Sequence, residues 1–312
     1  MEFIANTWNH FVEMTRNGTQ VIYFILPLYL VSVFTEGIYY FFAKMNYNFK
    51  DAATSLSMSA FNNLFGALVG GVIHYYIYTY LYNNFRVWEV PYTGWGWVFI
   101  FLVHDLFYYL EHRLSHRSGL FWAFHQVHHS SQELNFSTAN RGTFLDSFAG
   151  TFFWLMPIMG IDILQFAVMI GATNIWGIFN HTKLIKNMGF LEYILATPSN
   201  HSVHHASNIK YLDKNYGQVL IIWDIMFGTF KREDEEAPIY GLTTNIETFN
   251  PIKVEFSGFT WLRDQLRTAT NWKDKLGYFI NPPGWSHTGN HQRTEEMVAN
   301  YSKEQIYAVQ KI

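Results

Sequence analysis

The sequence contains no cysteine. That absence excludes disulfides, thiolate metal ligands, cysteine nucleophiles and thiolate-held iron–sulfur clusters together. It leaves the redox compartment open. Charge is scarce too: Asp, Glu, Lys and Arg make up 14% of the 312 residues, against roughly 25% in an ordinary soluble domain. The formal net charge of −3 argues against a nucleic-acid partner, which a basic stripe would advertise. No GxGxxG stretch marks a dinucleotide site, and no haem-binding fingerprint occurs. Redox chemistry in this chain would therefore draw electrons from a separate protein or a diffusible small molecule. No signal peptide is evident, because the first apolar run starts near Val21 after a polar opening and no small-residue cleavage site follows.

Hydrophobic and aromatic residues are abundant, at 49% and 19%. The mean hydropathy is nevertheless −0.01, so apolar runs must alternate with a substantial polar part. The length allows one large domain or two small ones. Val21–Ala43 is long enough to cross a bilayer, which needs about 20 residues. Glu36 interrupts it, and a helix-packing or interfacial role suits that carboxylate. Ala60–Tyr82 is a second run, with Gly66, Gly70 and Gly71 spaced for close helix contact. His74 inside it reads as a packed histidine. Tyr75, Tyr76, Tyr78, Tyr80 and Tyr82 suggest an aromatic interface belt. Trp95–Leu110 is a third run. Phe148–Phe179 is a fourth, split by Pro157 and Gly160 as a helical hairpin would be. In Lys183–Ala196, apolar residues recur at helical spacing, which predicts a helix lying in the membrane interface and ending at Pro198.

Fourteen histidines are present, and most are clustered. The clusters are His112-Arg-Leu-Ser-His116, His125-Gln-Val-His128-His129 and His201-Ser-Val-His204-His205. Residues three and four apart share a helix face, so each cluster can aim its imidazoles at one side. Eight imidazoles exceed what one metal takes, since zinc sites are usually tetrahedral. Two metals with four or five ligands each would use the set. Imidazole suits iron, copper, nickel and zinc alike. His181, after the fourth run, is a ninth candidate. His104 lies eight residues before His112 and is rotated by about 80° from it. Asp105 falls on nearly the same face as His112. It is the candidate carboxylate for fixing an imidazole by accepting a ring N–H, with helix capping or pairing to Arg113 as the bland alternative. His10, His287 and His291 sit in polar ends and are expected at the surface.

The segments HDLFYYLEHRLSH, FHQVHHSS, the NHT around His181, and NHSVHH followed by DKNYG and WDIMFGTF resemble the fatty acid hydroxylase/sterol desaturase superfamily. The similarity runs from about Leu26 to Trp285 and includes NFSTANR (Asn135–Arg141), TPSNHSVHH, YGLT and PPGW. These flanking segments are most similar to the branch that oxidises alkylglycerols. The resemblance implies a membrane enzyme with two iron ions, dioxygen as co-substrate and histidine-only ligation. It carries the ligand role to His112, His116, His125, His128, His129, His201, His204 and His205, with His181 added. For that branch it implies ether-lipid cleavage with tetrahydrobiopterin as reductant. Arg117 departs from the branch, where an acidic residue commonly follows the second histidine of the first box.

The expected fold is all-α: an integral, multi-pass membrane helical bundle under a helical cytosolic cap that holds a di-iron centre. The expected division is an N-terminal segment 1–20, membrane helices with the first two boxes over 21–182, an interfacial helix and third box over 183–285, and a polar tail over 286–312. The expected function is lipid hydroxylation next to an ether oxygen, which cleaves an alkylglycerol to a fatty aldehyde and a glycerol derivative. The alternative is a sterol or fatty acyl hydroxylase or desaturase. The rivals from other classes are a metal transporter, whose ligands would line the spans, and a zinc hydrolase. Expected partners are a lipid substrate, the bilayer and an external electron donor, either a pterin or a redox protein. The histidine side is expected to face the cytosol.

Overall fold

The computed structural model describes residues 19–146 and 150–309. His10 and Phe148 therefore lie outside the described residues, as do most of segment 1–20 and the last three residues of the tail. All regular elements described are helical. Two isolated bridges, Leu195 with Leu220 and Ala206 with Tyr240, are the extended pairings among them.

Helix α1 spans Thr19–Phe42. Helices α2 (Phe49–Phe65) and α3 (Gly71–Phe85) continue through a π-helical turn at Gly66–Gly70. Three stretches are long and apolar enough to cross a membrane: Ile25–Phe42, Phe49–Phe85 and Ile163–Asn180. On the first two, large apolar side chains face outward, including Phe34, Phe41, Phe42, Leu64, Leu68 and Tyr76. An apolar face of that extent suits lipid and would be a liability in water. Helices also satisfy their own backbone groups, the condition for lying in hydrocarbon.

The polar groups of these helices turn inward. Glu36 is buried; its carboxylate accepts Phe136 N at 2.7 Å and the Thr182 hydroxyl at 2.6 Å. It thus ties α1 to two segments on the other side of the core, a packing role. His74 stacks on Trp154 with ring centroids 5.0 Å apart and bonds Gly70 O. Two expectations for this region change. A Cβ on Gly66 would meet nothing, so that glycine marks the π turn rather than a close helix contact. Tyr78 leaves the supposed belt: it is buried, and its hydroxyl donates to Ile161 O at 3.0 Å.

Helix α4 (Gly94–Arg117) starts at a Thr93 cap and contains the third apolar run. After one extended residue, Ser118, helix α5 (Gly119–His129) begins. The fourth run breaks at Pro157 and Gly160 as expected, but its arms are unequal. A short helical turn, Phe152–Trp154, leads into α6, only Leu155–Ile158. Four residues rise about 6 Å, far short of a membrane leaflet. The long arm is α7, Ile163–Asn180, started by an Asp162–Gln165 capping box.

The segment Lys183–Ala196 is not the expected interfacial helix. It contains one 3₁₀ turn, Gly189–Tyr193, and is otherwise irregular. Local and tertiary bonds outcompete its helical pattern: Glu133 takes the Lys183 ammonium at 2.8 Å, Glu192 accepts Met188 N at 3.1 Å, and Gly189 has φ +65°. Pro198 likewise starts a helix instead of ending one. It is the first residue of α8 (Pro198–His204), capped by Thr197 and Asn200, where its missing N–H costs nothing.

The remaining helices are α9 (Ile222–Met226), α10 (Pro251–Glu255), α11 (Ser257–Thr268), α12 (Trp272–Ile280) and α13 (Thr294–Val309). Helices α11 and α12 pack on α5. The approach of α11 is close enough that a Cβ on Gly258 would sit 1.8 Å from Ala123 O. His287 and His291, expected at the surface, are half-buried; each uses its Nδ1, toward the Tyr278 hydroxyl at 2.9 Å and Ser286 N at 3.1 Å.

Candidate metal centre

Nine histidines from four helices and their caps converge on one region. Helix α4 presents His112 and His116, one turn apart. Helix α5 presents His125, His128 and His129. His181 caps the C-terminus of α7, and α8 supplies His201 and His204, with His205 at its C-cap. The rings sort into two groups: His112, His116, His125, His129 and His204 in one, and His128, His181, His201 and His205 in the other. Within each, one ring nitrogen per residue lies within 4.8 Å of all the others. The HxxHH clusters divide between the groups as helical geometry dictates. The i,i+4 pairs His125/His129 and His201/His205 stay together, while His128 and His204, one step off, cross to the other group. The groups abut, with His129 and His205 centroids 4.5 Å apart.

The hydrogen bonding fixes where the protons sit. Carbonyl oxygens only accept, so a ring nitrogen facing one must carry its proton. Nδ1 faces Tyr216 O in His112, Arg141 O in His128, Gly177 O in His181 and Lys214 O in His204, at 2.7–2.9 Å. A neutral imidazole has one N–H. The Nε2 of each of these rings is therefore a bare lone pair aimed inward. His181 Nε2 and His128 Nε2 face each other at 3.2 Å, so two lone pairs meet with no proton between them. The Nε2 atoms of His116 and His204 are buried without a hydrogen-bond partner among the described residues. Other Nε2 pairs lie 2.9–3.1 Å apart: His112–His125, His129–His125, His201–His181 and His205–His201. Two nitrogens each about 2.1 Å from a metal, at right angles, would be about 3.0 Å apart. The donors thus fit a metal ion in each group.

Burial favours the ligating, neutral form of eight rings. It pushes His128 down to about 4 and His181 to about 3. His112, His125, His129, His201, His204 and His205 also lie well below the usual histidine value, through burial first and neighbouring imidazoles second. Apolar rings wall the first group: Trp122 is 5.1 Å from His116, and Tyr108 is 5.4 Å from His112.

His104 joins neither group. It is buried between Phe153 and Phe166, as its helical phase implies. Asp105 accepts no imidazole N–H among the described residues, and it does not pair with Arg113. Its oxygens take Val219 N at 3.0 Å, Leu220 N at 3.1 Å and Trp223 Nε1 at 2.9 Å. The carboxylate that touches a cluster histidine is Asp213, whose Oδ1 is 3.3 Å from His116 Nδ1. Sequence reasoning missed it, although it opens the DKNYG stretch. Arg117 faces Asp213 at 3.6 Å and pairs with Glu295.

A match to the family described as fatty acid hydroxylase covers positions 97–229, which enclose all nine histidines. An alkylglycerol monooxygenase of Xenopus tropicalis is 40% identical over 237 residues, which is 75% of this chain and 52% of that protein. Its Homo sapiens counterpart is 38% identical over 236 residues, 75% and 53% of the two chains. The ornithine lipid hydroxylase OlsE of Rhizobium tropici is 32% identical over 124 residues, 39% of this chain and 38% of that one. The chain spans about half the length of the alkylglycerol monooxygenases it matches. No solved structure matches it. The hydroxylase domain thus begins within α4, ends just after α9, and includes each element that carries a cluster histidine.

Proposed function

We propose that this protein is a membrane di-iron monooxygenase that hydroxylates an alkylglycerol beside its ether oxygen. The observation that supports this reading most directly is the pair of buried histidine groups inside the segment that matches the hydroxylase family. His112, His116, His125, His129 and His204 would hold one ion, and His128, His181, His201 and His205 the other. Imidazole alone does not select iron; the hydroxylase kinship favours it over zinc. Iron bound there supplies the reduction of dioxygen and the insertion of one oxygen atom into a C–H bond. The chain's own part is to hold nine rings aimed at two points, to wall the first group with Trp122 and Tyr108, and to admit a lipid from the bilayer.

The balance of the reaction is simple. An ether R–CH₂–O–R′, dioxygen, two electrons and two protons give the hemiacetal R–CH(OH)–O–R′ and water. The bond between the hydroxylated carbon and the ether oxygen then breaks, the hydroxyl proton passes to that oxygen as it leaves with R′, and an aldehyde and an alcohol remain. The relatives named for alkylglycerol support that substrate. The electron donor is external, with tetrahydrobiopterin as first choice and a redox protein as second. Positions 21–182 serve as the membrane part and 183–285 as a cap facing the cytosol, where such donors reside. Lys183, Lys186, Lys210, Lys214, Lys231 and Arg232 fit the positive-inside tendency.

The similarity to ornithine lipid hydroxylase favours one second reading, hydroxylation of a lipid chain without ether cleavage. Iron-loaded protein incubated with a 1-O-alkylglycerol, tetrahydrobiopterin and ¹⁸O₂ separates the two. Labelled fatty aldehyde supports the proposal. Hydroxylated acyl product with a protein reductant, and no aldehyde with pterin, moves it to the second reading.

A further inference from the structure

The first histidine group has an outer support that the second lacks. One short segment, Asp213–Gly217, touches three of its five rings. The Asp213 carboxylate meets His116 Nδ1 at 3.3 Å, Lys214 O meets His204 Nδ1 at 2.8 Å, and Tyr216 O meets His112 Nδ1 at 2.8 Å. Such a turn needs unusual backbone. Asp213 and Asn215 both have φ +57°, the left-handed region that Asp and Asn tolerate better than other side chains. Gly217 has no room for a side chain, because a Cβ there would lie 2.5 Å from Leu220 O.

Two buried carboxylates hold the backbone N–H groups at the end of this segment and just beyond it. Asp224 accepts Tyr216 N and Gly217 N, each at 2.8 Å, and the Thr229 hydroxyl at 2.6 Å. Asp105 accepts the N–H groups of Val219 and Leu220, two and three residues past the segment. Asn215 completes the hold through Asn200 O at 2.9 Å and the Lys231 backbone. The rings of the second group rest instead on Arg141 O and Gly177 O, from separate parts of the chain.

We propose that Asp213, Asp224 and Asp105 are positioning residues for the first metal centre, acting on His116, His204 and His112 through this one segment. The proposal rests on the two-metal reading above. Asp213 acts on a ring directly; Asp224 and Asp105 act only by fixing the turn. A carboxylate that accepts two backbone N–H groups cannot be replaced by an amide without facing N–H against NH₂, so isosteric Asn variants should loosen the turn. Loss of such support typically weakens metal binding about 10–100-fold.

The test counts iron. Full-length parent, Asp213→Asn and Asp224→Asn proteins are equilibrated with buffered Fe²⁺ and bound iron is measured against free iron. Asp162→Asn is the structural control: Asp162 caps α7 by accepting Leu164 N, Gln165 N and the Tyr92 hydroxyl, away from both groups. Melting temperature is recorded for all. The expected result is two ions in the parent, and one of the two weakened 10–100-fold in both loop variants while the other keeps its parental affinity. Asp162→Asn should lower melting temperature and leave both iron affinities intact. Equal weakening of both ions, or no weakening, in the loop variants overturns the positioning role and leaves the two-metal reading standing. A parent that holds fewer than two ions overturns both.

Discussion

Two regions of this molecule invert each other. On α1 and the α2–α3 run, large apolar side chains face outward and the polar groups, such as Glu36, turn in. Around the histidines the surroundings are polar and almost wholly buried: Asn135, Ser137, Thr138, Thr197, Asn200, Asn215 and Asp224 all sit below 2% exposure. The first region owes its stability to a lipid solvent. The second is held by hydrogen bonds that leave the Nε2 atoms of His112, His128, His181 and His204 bare. Hydropathy therefore reads the first region well and says little about the second, where pairing decides the structure.

The sharpest way to break the polar region is to delete a ring that crosses between groups. His204→Ala should abolish turnover and remove the iron of the first group, and His128→Ala should do the same for the second. Iron analysis of each variant checks this, and near-normal iron with normal turnover would overturn the ligand assignment. Next in size is the buried Arg141–Asp51 pair at 2.8 Å, with side chains 1% and 4% exposed. Arg141→Met leaves Asp51 buried and uncompensated, which should cost about 3–5 kcal/mol, whereas the double change with Asp51→Leu should recover most of it. Thermal unfolding of the single and double variants is the measurement.

The apolar region should answer differently. Leu68, 67% exposed on the π turn, faces outward midway along its span. Leu68→Arg should cost about 2.5–3.5 kcal/mol of membrane insertion, read as lost membrane-integrated protein, while Leu68→Ala should be nearly silent. Were the face in water, Leu68→Arg would be the silent one. Smallest is His287→Ala, which removes one hydrogen bond to Tyr278. It should cost about 1 kcal/mol and leave iron content unchanged.

The legibility of the sequence follows the same divide. The membrane runs and the three histidine clusters were readable because each is local, a period or a spacing within a dozen residues. The division of nine rings into five and four was not, since it depends on how α4, α5, α7 and α8 meet. The partners of Asp105 were not legible because they lie more than a hundred residues away, at Val219 to Trp223. Lys183–Ala196 has a helical pattern and no α-helix because Glu133 and Glu192 bind it otherwise. Pro198 was read as a stop because its place as the first residue of α8 depends on the Thr197 cap before it.

The central claim is that the two histidine groups hold two iron ions per chain through nitrogen alone. Elemental analysis of the purified parent, with X-ray absorption at the iron edge, tests it most directly. The account predicts two irons per chain, with nitrogen neighbours at about 2.1 Å, a typical metal–imidazole distance. One metal per chain, or zinc in both groups of a catalytically active preparation, would contradict it.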